Sequence, residues 1–158
     1  MSTPGFSASL FLANEADTTS FGASLAPLLR PGDTLLLEGP IGAGKTHMAR
    51  ALIKASLVRV EDVPSQTYTL VQTYDAPDSE IWHADLYRVG SSDELEELGL
   101  LDAFDAAVVI IEWPDRLGDL APDDALWLRF SPEGDGRRLE IRSASPRWTF
   151  LEDLLAHV

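Results

Sequence analysis

The chain has 158 residues, 45% of them hydrophobic, with 26 acidic against 12 basic side chains and a net charge of −14. That length suits one hydrophobic core rather than two, and the acidic balance argues against autonomous binding to phosphate backbones or anionic lipid. The absence of cysteine excludes disulfides and thiolate chemistry. No stretch reaches the roughly 18 apolar residues of a membrane span, and the first basic residue is Arg30, so the start lacks the pattern of a secretory leader. The expectation is one cytoplasmic domain over residues 1–158.

In chain order, Phe6, Ala8, Leu10 and Leu12 alternate and predict a first strand. Asn14 can cap a helix running to about Leu29, with Phe21, Leu25, Leu28 and Leu29 on one face and Pro27 fitting poorly inside it. After the turn Arg30–Asp33, the run Leu35–Leu37 within Thr34–Glu38 reads as a strand buried on both faces. A glycine-rich loop leads into a helix from about Lys45 to Leu57. The segments Tyr68–Tyr74 and Ile81–Tyr87 predict two strands. Their short link forces them antiparallel, because a parallel crossover needs a dozen or more residues. Ser91 and Glu94 form a capping box for an acidic helix that Gly99 can end. Val108–Ile111 is a second fully apolar strand. Leu126–Phe130 and Leu139–Ile141 read as a hairpin around Gly134-Asp135-Gly136, and Thr149–His157 as a last helix. The fold class is α/β, a P-loop NTPase-like mixed sheet flanked by helices.

The loop Gly39–Thr46 matches G-x-x-x-x-G-K-[ST] between an apolar strand and a helix. Glycines let backbone N–H groups turn inward around a phosphate chain, and the following helix adds the positive end of its dipole. Gly39, Ile41, Gly42, Ala43, Gly44 and Lys45 are the candidate phosphate cradle. Lys45 offers a point charge to the β- and γ-phosphates, and the Thr46 hydroxyl a ligand to Mg²⁺. ATP with Mg²⁺ is the expected ligand.

Such a site needs an acid at the end of a neighbouring strand. Val108–Glu112 provides one, so Glu112 is the candidate magnesium residue through a water. Trp113 follows it, where many ATPases carry a second acid. Water then needs another positioner, and Asp85 in His83–Arg88 is the candidate. The same residues fit a surface pair between Asp85 and Arg88, and His83 fits a structural role. Pro64–Thr69 occupies the place of a γ-phosphate sensor and also fits an ordinary polar loop.

The segments Gly39–Thr46, Val63–Leu70, His83–Arg88, Glu97–Leu100 and Ile111–Pro114, in this order, resemble the TsaE (YjeE) family of bacterial tRNA threonylcarbamoyladenosine biosynthesis. The resemblance runs from about Thr19 to Arg138. It implies slow ATP hydrolysis and association with the TsaB–TsaD complex, which transfers a threonylcarbamoyl group onto an adenosine beside the anticodon. Contact with tRNA is then only indirect, through these partners, and no membrane is involved. It implies Thr46 and Glu112 at the magnesium, Lys45 at the phosphates and Asp85 as an essential aspartate. It further implies Thr19 near the nucleotide base and Arg137, or alternatively Arg138, after the last hairpin turn. The chain departs from the family pattern at Gln66, where proline is usual, at Tyr68, often phenylalanine, and at Gly39-Pro40-Ile41, commonly Gly-Asp-Leu.

Two other functions use the same loop. A small-molecule kinase would carry a lid with several arginines, and no insertion here resembles one. A nucleotide-dependent interaction module would bind without appreciable turnover.

Overall fold

The computed structural model describes residues 6–40, 42, 44–57, 71–77, 79–87, 89 and 92–156. Among these residues seven strands form one sheet: β1 (Phe6–Leu12), β2 (Thr34–Glu38), β3 (Val71–Asp75), β4 (Glu80–Asp85), β5 (Val108–Glu112), β6 (Leu126–Glu133) and β7 (Gly136–Ser143). Their order is β1-β7-β6-β2-β5-β4-β3. β2 is parallel to β5 and β6, and β4 to β5, while β1·β7, β6·β7 and β3·β4 are antiparallel. The sheet is mixed, and both expected antiparallel pairs are present.

Among the described residues five α-helices flank it: α1 (Glu15–Leu25), α2 (Lys45–Ser56), α3 (Ser92–Glu97), α4 (Leu100–Ala106) and α5 (Leu151–Ala156). On one face Phe21 and Leu25 of α1, Met48, Leu52 and Ile53 of α2, and Leu151 of α5 pack on Leu35, Leu37, Ile110 and Leu128. On the other, Leu95 of α3 and Leu100 and Phe104 of α4 pack on Leu36, Val109 and Ile111. Burial on both sides accounts for the unbroken apolar runs of β2 and β5.

Several boundaries differ from the sequence expectation. α1 begins where expected: Asn14 accepts a hydrogen bond from the Asp17 N–H at 2.9 Å. It ends at Leu25, followed by a 3₁₀ turn over Ala26–Leu28. Pro27 has no N–H to continue the helix, and Leu28 is consequently 38% exposed rather than buried with Phe21. β4 stops at Asp85, whose carboxylate accepts the Tyr87 N–H at 3.0 Å and turns the chain out of the sheet. Gly99, at φ 81°, ends α3 but also starts α4, an element the sequence reading missed. The C-terminal helix starts at Leu151 rather than Thr149, after a 3₁₀ turn over Pro146–Trp148 that buries Trp148. The hairpin closes through Gly134-Asp135, with Glu133 opposite Gly136. Tyr68, Ser91, Arg88, His157 and the whole Pro64–Thr69 segment lie outside the described residues. Among the described residues no helix is long and apolar enough to cross a membrane.

Candidate functional site

The site forms at the C-terminal edge of the central strands. β2 lies between two parallel neighbours, β5 and β6, and its end delivers the glycine loop directly to the start of α2. Gly39 follows β2 with φ 141°. A Cβ there would lie 2.6 Å from the Phe130 carbonyl oxygen, so only glycine lets the loop leave so close to β6. Gly42 is at φ 79°, and Gly44, at φ 107°, is the N-cap of α2. Ile41 and Ala43, the remaining members of the expected cradle, lie outside the described residues.

Lys45 is the first residue of α2 and is only 4% exposed. Its Nζ donates to the Gly39 carbonyl at 2.6 Å and sits 3.5 Å from the centre of the Trp113 ring. Burial pushes the Lys45 pKa below the ordinary lysine value, and the carboxylates of Glu112, Asp85 and Asp115 draw it partly back. Trp113 is the one described non-glycine residue at positive φ, 61°. That left-handed turn directly after β5 swings the indole over Lys45, and Tyr87 packs against it with ring centres 4.9 Å apart.

Thr46 donates its hydroxyl proton to Oε1 of Glu112 at 2.7 Å. The other carboxylate oxygen, Oε2, meets Nε2 of His83 at 2.7 Å. Glu112 is 2% exposed and His83 fully buried. Asp85 and Glu112 stand opposite one another in the parallel β4·β5 register. Two strand ends and the first turn of α2 therefore bring Lys45, Thr46, Asp85 and Glu112 together from three separate segments of sequence. A hydroxyl that gives its proton to a carboxylate keeps its lone pairs for a cation. This donor set suits a hard ion with oxygen ligands.

A cleft of about 310 Å³ adjoins the loop, lined by Asn14, Thr18, Gly42, His47, Asp135 and Arg137 among others. Arg137 donates from Nη2 to the Gly42 carbonyl at 3.1 Å. Arg138 instead pairs with Glu133 at 2.6 Å and lies over Phe11. Successive strand residues face opposite ways, so only Arg137 of the two addresses the loop. Thr18 lines the cleft directly. Thr19 reaches it through His47, whose Nε2 lies 2.8 Å from the Thr19 hydroxyl and 3.2 Å from the Glu15 carbonyl. Two contributors escaped the sequence reading. His47 had a usable signal, since it follows Thr46 in the first turn of α2. Trp113 over Lys45 had none, because that contact depends on a backbone turn that tryptophan rarely adopts.

The family model described as threonylcarbamoyl adenosine biosynthesis protein TsaE matches residues 12–139. The tRNA threonylcarbamoyladenosine biosynthesis protein TsaE of Rickettsia bellii is 35% identical over 128 residues, covering 81% of this chain and 89% of that one. The Bacillus subtilis protein of the same name is 30% identical over 148 residues, 91% of each chain. A crystal structure of Bacillus subtilis YdiB superposes with a TM-score of 0.76 over 99% of this chain and 98% of its own, at 22% identity, and so shares the fold. With a matching model across most of the sequence and relatives at this identity and coverage, the chain belongs to the TsaE family of threonylcarbamoyl adenosine biosynthesis proteins.

Proposed function

We propose that this protein is a Mg²⁺-dependent ATPase that supports the TsaB–TsaD complex in placing the threonylcarbamoyl group on tRNA, in the cytoplasm. The observation that carries this reading is the Thr46–Glu112 hydrogen bond at 2.7 Å beside a buried Lys45 at the foot of a glycine loop. A buried lysine, a hydroxyl and a carboxylate around backbone N–H groups form the donor set for a nucleotide triphosphate and its cation.

In this reading Lys45 would exchange its bond to the neutral Gly39 carbonyl for the phosphates, which relieves part of the cost of burying an ammonium. Thr46 and Glu112 would hold Mg²⁺. When bound, the ion neutralises charge on the phosphate oxygens. Arg137, Thr19 and the cleft beside His47 take the rest of the nucleotide. Asp85 orients the attacking water. Its carboxylate is fixed by the Tyr87 N–H, so it can accept a hydrogen bond without first being ordered. The acidic surface suits a factor that leaves tRNA to its partners.

The test is phosphate release from ATP by the purified protein, alone and with TsaB–TsaD from the same organism. The expected result is slow formation of free orthophosphate that the pair accelerates, with Lys45→Ala unable to bind ATP tightly. Phosphate appearing on an acceptor molecule would point to a kinase. Undiminished affinity in Lys45→Ala would remove the site.

A further inference from the structure

His83 is fully buried, its ring is 2.7 Å from Glu112, and the function proposed above leaves it without a task. The two oxygens of Glu112 are not equivalent. Oε1 accepts the Thr46 hydroxyl, and Oε2 faces His83 Nε2. A carboxylate oxygen only accepts, which puts the ring proton on Nε2 and makes His83 the donor. A glutamate side chain has three rotatable bonds, and two donors on opposite oxygens fix its plane. His83 lies on β4 opposite Ile110, on the same face as Asp85 two residues later. The bond thus ties the carboxylate at the end of β5 to the strand that carries Asp85.

We infer that His83 is a positioning residue for the cation: by holding Oε2 it reserves Oε1 for Thr46 and the ion's hydration shell. The inference rests on the nucleotide reading above and adds one more residue to it. Residues that orient a metal's carboxylate are worth about 10- to 100-fold in metal affinity. A buried histidine that merely fills space would not be.

The experiment measures binding of a fluorescent, non-hydrolysable ATP analogue against Mg²⁺ concentration for the wild type, His83→Leu and His83→Gln. Glutamine can place an amide N–H close to the position of Nε2. Expected for His83→Leu is a rise of about 10- to 100-fold in the Mg²⁺ needed for half-maximal effect, with metal-free affinity for the analogue unchanged. His83→Gln should return towards the wild-type value. Mn²⁺ electron paramagnetic resonance should show the same order of cation affinities. If the leucine variant does not fold, His83→Asn, polar but too short to reach Glu112, takes its place with the same expectation. An unmoved Mg²⁺ requirement in the leucine or asparagine variant, or a glutamine variant no better than it, overturns the assignment while the nucleotide reading stands. A wild type whose affinity for the analogue ignores Mg²⁺ overturns both.

Discussion

Replacing Gly39 by alanine tests the close approach of the glycine loop to β6, and the structure supplies a matched control in Gly42. At Gly39 the substitution meets two costs. The backbone sits at φ 141°, where an L residue is strained by about 1–3 kcal/mol. The new Cβ would also lie 2.6 Å from the Phe130 carbonyl oxygen, a backbone atom of β6 that cannot swing aside. Overpacking of that kind adds about 1–3 kcal/mol. The total centres near 4 kcal/mol, which for a chain of this size lowers Tm by roughly 8–16 °C. At Gly42 φ is 79°, and nothing stands within 4 Å of the added Cβ. Only the left-handed penalty of about 1–2 kcal/mol remains, a fall of roughly 2–8 °C. Thermal unfolding followed by circular dichroism reads both numbers, and titration with a fluorescent nucleotide reads the second consequence. The Gly39 carbonyl is the acceptor that seats Lys45, so Gly39→Ala should also weaken nucleotide binding. Equal melting temperatures for the two variants would refute the close-approach argument.

Four further outcomes are expected. Burial lowers the Lys45 pKa in the free protein and bound phosphates should raise it again, so nucleotide binding takes up a proton at alkaline pH below the ordinary lysine range. Calorimetry in two buffers of different ionisation enthalpy measures this uptake, which should shrink as the pH is lowered and the free lysine is already protonated. The same lowered pKa means the unfolded chain holds this proton more tightly, so the Lys45 contribution makes stability rise with pH between the folded and unfolded pKa values; urea unfolding across that window checks the sign. Asp85→Asn keeps an oxygen for the Tyr87 N–H, so it should retain nucleotide affinity and lose about 10²- to 10⁴-fold in turnover, measured by phosphate release. Arg147 reaches both oxygens of Asp33, the closer at 2.8 Å, and lies against the rings of Trp148 and Phe150. Arg147→Ala should therefore cost about 2–4 kcal/mol in urea unfolding, and Arg147→Lys should recover little, since an ammonium neither forks nor stacks in the same way.

What the sequence revealed was whatever local chemistry dictates. The glycine loop, the apolar strand before it and the helix after it are contiguous, and each has its own signal. Glu112 was legible because an acid ending an apolar strand has few other reasons to sit there. Asp85 was harder to place, because its neighbour Arg88 offered a surface partner equally close in sequence. The strand order was not legible, since β2 takes its neighbours from more than 70 residues downstream. Arg137 and Arg138 are indistinguishable in sequence, and the hairpin register separates them by turning one to each side. In sequence Leu28 shares a helical face with Phe21 and Leu25, a periodicity that Pro27 interrupts. α4 was hidden behind Gly99, because a glycine that stops one helix gives no notice that it starts another.

The placement of β1 has a consequence for how the protein is made. Its hydrogen-bonded partner is β7, with Phe6 opposite Ser143. At 5–20 residues per second, roughly ten seconds of synthesis separate the two. During that time a seven-residue strand without a single charge waits beside the ribosome with nothing to pair with. Uncharged, unpaired strands are the segments that pair with neighbouring chains. The nascent protein is therefore most vulnerable before its last strand emerges, and a ribosome stalled short of β7 would release a chain with β1 and β6 both open to association.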